Sequence, residues 1–163
     1  MKVLHYLNQF FAGQGGEEAA DQPPEYREGP IGPGVRLDQL LGDQAQVVGT
    51  LFAGDNYFSN NPETASEEIE TFLQASEAEI LVAGPAFNAG RYGMACGEVC
   101  TLATERLGIP VLIAMSENNP AVELYRSKVP ILGTADSTGG MGEGLSGMAS
   151  AIMAFVEAED GWS

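Results

Sequence analysis

The chain has 163 residues, of which 44% are apolar, and its 23 acidic and 7 basic side chains give a formal net charge of -16. The length fits one domain that can bury roughly two-thirds of its surface, and the composition is that of a globular protein. A negative charge of this size repels phosphate groups, so binding to nucleic acid or to an anionic membrane is excluded as the main function.

Five apolar runs separated by turn residues predict strands, at residues 3–11, 46–53, 80–83, 109–115 and 129–134. The start of the chain is too short and too polar for a secretory signal, and no run reaches transmembrane length, so we expect a cytoplasmic protein without a membrane segment. Apolar residues at helical spacing predict helices between the strands, two of them stopped by Gly42 and Gly108, and a last helix over residues 141–157. Residues 21–35 contain four prolines and predict an irregular crossover.

Short strands that alternate with helices indicate an α/β fold in which helices cover both faces of a parallel sheet. We predict a three-layer sandwich with a five-stranded parallel sheet, flavodoxin-like or Rossmann-like, in the strand order 2-1-3-4-5. One domain is expected over residues 1–157, followed by a C-terminal tail over residues 158–163.

Polar side chains follow every predicted strand, and the loop after residues 80–83 carries an amide, a guanidinium and a phenol. Ligands of open α/β sheets bind beyond the carboxyl ends of the strands, so one crevice is expected to collect these groups. The predicted substrate-binding residues are Gln14, Asp55, Asn56, Asn88, Arg91, Tyr92 and Glu117, with Asn8, Asn118, Asp136 and Ser137 at the same strand ends. The alternative is that each is a cap or turn residue, which every α/β protein needs at these points.

Arg91 carries the chemical prediction, because it is one of only seven basic residues in an acidic chain. A guanidinium at a strand end suits a small carboxylate, which it can bind bidentately. The alternative is a salt bridge to a neighbouring acid of the same chain.

Two cysteines, Cys96 and Cys100, share one face of a predicted helix at a spacing that does not fit a disulfide, so we expect free thiols. They are either small core residues or, in the sharper interpretation, Cys96 is a catalytic thiolate with a depressed pKa near the helix start. No histidine cluster completes a metal site, and the only histidine, His5, lies in the first strand, where a structural role is expected. The glycine-rich stretch at residues 12–18 is not a dinucleotide fingerprint.

Several stretches of the chain together resemble one protein family. They are HYLNQFF, GQGGEE, EGPIGPG, GDNYF, GPAFNAGRYGMACGEVC and GIPVLIAM followed by E-N-N-P, with a closing glycine-methionine turn. Through nearly all of residues 1–155 the chain is similar to the N-terminal region of the selenoprotein B subunit of glycine, sarcosine and betaine reductases.

The resemblance implies reductive cleavage of the C–N bond of a small α-amino acid, in a complex where a pyruvoyl-bearing companion subunit binds the amine and other components yield acetyl phosphate. In that family a selenol of the B subunit takes part, from a C-terminal region with a cysteine-rich motif. The present sequence ends before such a region, and Cys96 and Cys100 match the family's N-terminal pattern and not its selenocysteine site. We therefore expect a reductase subunit or domain that lacks the selenocysteine region and carries no cofactor of its own.

Two other interpretations stay open. The first is a non-catalytic docking or scaffold module whose acidic face meets a basic partner subunit, although an acidic surface also fits a high-salt cytoplasm. The second is a thiol enzyme of racemase type, which would need its two cysteines on opposite sides of the substrate. The sequence leaves open whether the chain forms a homo-oligomer.

Overall fold

A mixed six-stranded sheet lies at the centre of the computed structural model, which describes residues 1–158. The strands are β1 (Lys2–Asn8), β2 (Glu25–Glu28), β3 (Gln46–Ala53), β4 (Ile80–Ala83), β5 (Val111–Ser116) and β6 (Ile131–Thr134). The helices are α1 (Pro33–Leu41), α2 (Asp55–Asn60), α3 (Pro62–Ala75), α4 (Gly90–Leu107), α5 (Ala121–Tyr125) and α6 (Met141–Glu157). Short 3-10 turns form at Glu17–Ala19 and Thr138–Gly140. No helix within residues 1–158 is long and apolar enough to cross a membrane.

The strand order is β2-β3-β1-β4-β5-β6, and the last five of these strands run parallel to one another. The predicted five-stranded parallel sheet is therefore not matched in full, because β2 is added antiparallel to β3 at one edge. This strand lies in the proline-rich segment that the sequence predicts to be irregular. It is only four residues long and carries three charged side chains, which is typical of a protected edge strand and gives no apolar alternation to detect.

Helices cover both faces of the sheet and divide the core into two main clusters. On one face, buried side chains of α2, α3, α4 and α5 pack against β1, β3, β4 and β5. On the other face, α1 and α6 pack against the same strands. Every residue of β4 and β5 is buried, as expected for strands that have helices on both sides. The predicted tail lies outside the described residues from residue 159 onward.

The segment that carries the first 3-10 turn crosses the carboxyl end of β3 in close contact with Gly54. The Gly54 amide donates a hydrogen bond to the carbonyl of Gln22 at 2.8 Å, and the Tyr57 amide donates to the carbonyl of Ala20 at 2.9 Å. A Cβ atom added to Gly54 would lie 2.1 Å from the Ala20 carbonyl oxygen. Only glycine leaves room for this crossing, which places Glu17 beside the ends of the central strands.

Candidate functional site

Asn8 and Asp55 join the carboxyl ends of β1 and β3. Nδ2 of Asn8 donates a hydrogen bond to Oδ2 of Asp55 at 3.0 Å, and the Asp55 amide donates to Oε1 of Gln9 at 3.1 Å. Asp55 is 8% exposed, and its Oδ1 has no hydrogen-bond partner within residues 1–158. Burial raises the pKa of Asp55, whereas the hydrogen bond from Asn8 and the charge of Arg91 lower it. A buried carboxyl group with one unused oxygen therefore lies at this end of the sheet.

Arg91 lies in the first turn of α4 and forms a salt bridge with Glu17. The Arg91 Nη2 donates to Glu17 Oε1 at 2.8 Å, and the two side chains are 47% and 75% exposed. Arg91 therefore forms a salt bridge to an acid of the same chain, which the sequence analysis gives as the alternative to binding a small carboxylate. The charge of Arg91 also lowers the pKa of Asp55. We call the predicted binding region between Asn8, Asp55 and Arg91 the Asp55–Arg91 crevice; that it binds a ligand stays a prediction.

Tyr92 follows Arg91 directly but faces the core. Successive helix residues point about 100° apart, so Arg91 is exposed while Tyr92 is fully buried. The Tyr92 ring lies 6.4 Å from the ring of Tyr6 and 5.9 Å from the ring of Phe11. The hydroxyls of Tyr6 and Tyr92 are buried without a hydrogen-bond partner among the described residues. Tyr92 is therefore a core residue, and its contact with a substrate stays a prediction.

Cys96 lies one turn after Tyr92 on the same buried face of α4. Both cysteines are free and fully buried. Burial, followed by the neighbouring charges of Cys100 and Asp55, raises the pKa of the Cys96 thiol well above its ordinary value. The depressed pKa considered for Cys96 is therefore wrong, since the thiol is in the core and not at the exposed helix start. Its catalytic role stays a prediction without a thiolate to support it.

Both thiols are expected to resist alkylation in the folded protein. Burial raises the pKa of Cys100 as well, so neither thiol is ionised or accessible at neutral pH. Iodoacetamide should label neither cysteine in native buffer and both in concentrated urea, as measured by intact mass. Rapid native labelling of Cys96, lost in Cys96→Ser and kept in Cys100→Ser, would contradict the buried arrangement.

The ends of β5 and β6 form a second, separate polar group around Asp136. Oγ of Ser116 donates to Asp136 Oδ1 at 2.5 Å, and Nδ2 of Asn118 donates to the same oxygen at 3.1 Å. These hydrogen bonds lower the pKa of Asp136. The backbone amide of Asn88 donates to the Asp136 carbonyl at 3.2 Å, which ties the loop after β4 to this group.

Glu117 belongs to the second group and not to the Asp55–Arg91 crevice. It lines a small groove of about 320 Å³ with Asn118 and Asp136. The strand order separates β5 from β3 by three strand spacings, which amounts to roughly 14 Å. Glu117 therefore lies with Asp136 rather than with Asp55, and its contact with a substrate stays a prediction.

The two remaining predicted residues have different surroundings. The Gln14 side chain donates from Nε2 to the Ala12 carbonyl at 3.1 Å and accepts from Arg27 Nη2 at 3.4 Å, so it supports its own loop and the edge strand. Asn56 is half-buried in the first turn of α2, next to Asp55. Its amide makes no hydrogen bond to another side chain of the described chain.

Two residues of the site are missing from the sequence-based set: Gln9 and Glu17. Gln9 follows directly after β1, and its position at a strand end could have identified it. Glu17 lies in the glycine-rich loop after β1. Its contact with Arg91 of α4 can be inferred only once β1 and β4 are known to be neighbours in the sheet. Within the described residues, no group of three or more His, Cys, Asp and Glu side chains is placed to hold a metal ion.

The family described as glycine/sarcosine/betaine reductase selenoprotein B matches residues 1–162. A sarcosine reductase complex component B subunit beta from Peptoclostridium acidaminophilum is 44% identical over 159 residues, which are 98% of this chain and 36% of that protein. A glycine reductase complex component B subunit gamma from Carboxydothermus hydrogenoformans is 45% identical over 159 residues, 98% of this chain and 37% of that protein. A betaine reductase complex component B subunit beta from P. acidaminophilum is 37% identical over 158 residues, 97% of this chain and 36% of that protein.

The chain thus spans little more than a third of the length of these relatives. No solved structure matches the chain.

Proposed function

Because this chain belongs to the glycine/sarcosine/betaine reductase selenoprotein B family, we propose that it acts as a subunit or domain of a reductase-type complex and supplies a binding crevice for a small carboxylate. The Asp55–Arg91 crevice is the proposed site. The substrate class is a small amino acid, as the names of the relatives suggest.

The observation that supports the carboxylate is the contact between Arg91 and Glu17. The guanidinium of Arg91 already holds a carboxylate oxygen at 2.8 Å, beside the carboxyl ends of the central strands. Both partners are largely exposed, so the pair is weak and a ligand can replace Glu17. A carboxylate from solution would then accept the same charge-assisted hydrogen bonds.

Asp55 supplies the opposite charge that an amino acid needs. Its Oδ1 has no hydrogen-bond partner among the described residues, and its Oδ2 is fixed by Asn8. A zwitterion that places its carboxylate on Arg91 and its ammonium group toward Asp55 would satisfy both side chains. The ammonium group would also favour the charged form of Asp55, whose pKa is raised by burial and, to a smaller extent, by the charge of Glu17.

The bond chemistry is proposed to come from companion subunits. Cleavage of the C–N bond in a complex with a pyruvoyl-bearing subunit is what the family resemblance implies, and the thiols of this chain are buried. The role proposed for this chain is therefore to bind and orient the acid, while groups of other subunits react with the amine.

Replacing Arg91 by alanine is expected to weaken binding of a small acid about thirtyfold. The loss of a charge-assisted hydrogen bond costs about 2 kcal/mol, which corresponds to this factor in Kd. Calorimetric titration with glycine, sarcosine, betaine and acetate would measure it, with Arg126→Ala as the matched control, since Arg126 is an exposed arginine that pairs with Glu123 of its own helix turn. Unchanged affinity in Arg91→Ala for every acid that binds the parent chain, or no binding by the parent, would reject the proposal.

A further inference from the structure

An apolar groove opens on the outer side of α4, between α2 and α5. Its volume is about 520 Å³, and its lining is mostly apolar. The apolar side chains are those of Phe58, Pro62, Met94, Ala95, Pro120 and Leu124. Met94 is 36% exposed and Leu124 is 53% exposed. Single exposed apolar residues are ordinary, but these two share one groove with further apolar side chains, which makes the groove a candidate docking surface.

A second, acidic groove continues from the first, between α3 and α4. The two grooves share Pro62 and Glu98, and the second also has a volume of about 520 Å³. Its charged lining consists of five glutamates and one arginine: Glu63, Glu67, Glu70, Glu98, Glu105 and Arg106. Arg106 is paired with Glu70 at 3.3 Å. The hydroxyl of Thr101, which also lines this groove, is buried and has no hydrogen-bond partner among the described residues.

The charges decide what can occupy the combined surface. Phosphate groups and lipid headgroups would be repelled by the row of glutamates. A second copy of the chain carries the same net charge of -16 and only seven basic residues, so it is a poor counterpart. Lysine and arginine side chains of a different protein would be attracted, and an apolar side chain from the same segment would fill the space beside Met94 and Leu124.

We propose that the apolar and acidic grooves together form a docking surface for a basic amphipathic helix of a protein partner. Grooves between helices commonly accept such helices, with apolar residues as anchors and charged residues at the rim. Arg91 and Gly90 also line the apolar groove. A docked partner would therefore lie next to the Asp55–Arg91 crevice. The shape and charge of this surface support docking independently of whether the Asp55–Arg91 crevice binds a carboxylate.

The test uses the whole chain and a synthetic amphipathic helix with leucines on one face and lysines on the other. Binding is measured by fluorescence anisotropy, and its location by the NMR signals of labelled methionine methyl groups. Met94 lies in the groove, whereas Met148 is buried against the opposite face of the sheet and serves as the internal control. The comparison peptides replace leucine by serine or lysine by glutamate.

The Met94 signal should shift on addition of the peptide while the Met148 signal stays in place. Leu124→Ser and the double variant E67Q/E98Q should each weaken the peptide Kd about tenfold, as should the serine peptide. Val35→Ser and E143Q/E157Q remove a comparably exposed apolar side chain and the same charge elsewhere, and they should change Kd less than about twofold. An equal loss of peptide affinity in Val35→Ser or E143Q/E157Q would mean that the peptide is attracted without binding in the grooves, and it would overturn the proposal. An unmoved Met94 signal, or a Met94 shift that depends on protein concentration without peptide, would equally overturn the proposal.

Discussion

As the pH falls from 6.5 to about 4, His5 is expected to remove about 3 kcal/mol from the free energy of unfolding. His5 is fully buried, and its Nε2 lies 2.7 Å from the Gly84 carbonyl oxygen, to which it donates as the neutral ring. Its Nδ1 faces Gly34 of α1 without a hydrogen-bond partner in the described chain. Burial lowers the pKa of His5 to about 4. The unfolded chain therefore binds a proton from about pH 6.5 downward, before the folded protein does.

The expected direction follows from this order of protonation. Above pH 6.5 the ring is neutral in both states and contributes no penalty. Asp55 has the opposite effect on the free energy of unfolding. Burial raises its pKa, so its protonation at low pH increases the stability of the folded protein. The contribution of His5 is therefore measured as the difference between the parent chain and His5→Gln in urea unfolding at several pH values.

A direct titration checks the same prediction without a variant. The chain has a single histidine, so its ring proton signals in NMR are assigned without ambiguity. They should keep the neutral-ring position until the pH approaches 4. A ring that titrates near its ordinary pKa in the folded protein would show that His5 is solvated rather than buried.

Replacing Gly54 by alanine is expected to cost at least about 3 kcal/mol of stability. The added methyl group would lie 2.1 Å from the Ala20 carbonyl oxygen and 2.7 Å from the Gln22 amide nitrogen. Both are backbone atoms, which cannot rotate away as the end of a flexible side chain can. The segment that carries Glu17 would have to move, and its two hydrogen bonds to the start of α2 would break.

The matched control is Gly142→Ala, near the start of α6, where an added methyl group meets nothing within 4 Å. This variant should be neutral or slightly stabilising, because alanine favours the helix. Thermal and urea unfolding of both variants would measure the difference. Equal stability of the two variants would mean that the crossing segment is not packed against the end of β3.

Short patterns in the sequence predicted much of the fold. Gly42 and Gly108 follow the last residues of α1 and α4, and Gly108 has the left-handed backbone that favours glycine at a helix end. The strand at residues 46–53 and the helix at residues 141–157 have the predicted bounds. The edge strand β2 was missed because its pairing with β3 depends on long-range contacts rather than on its own charged sequence.

The site was less accessible to sequence reasoning, because it depends on which strands are neighbours and which way each side chain points. Asp55 was placed correctly at the end of a strand, but it begins a helix and its carboxyl group is buried. Arg91 and Tyr92 are adjacent in sequence, but they point about 100° apart around the helix, so that one is exposed and the other buried. Glu117 follows a strand end as well, yet three strand spacings separate that strand from the one that leads to Asp55.

The contact between Glu17 and Arg91 has a consequence for any acid that arrives from solution. Glu17 is a tethered competitor: it is always present at the guanidinium, at a concentration set by its own loop. An exposed ion pair of this kind is worth at most about 1 kcal/mol, so it can depress the apparent affinity by no more than about fivefold. In exchange, a counter-charge stays within reach of the guanidinium when no ligand is bound, and because Glu17 remains tethered nearby, a bound carboxylate adds its charge to the site.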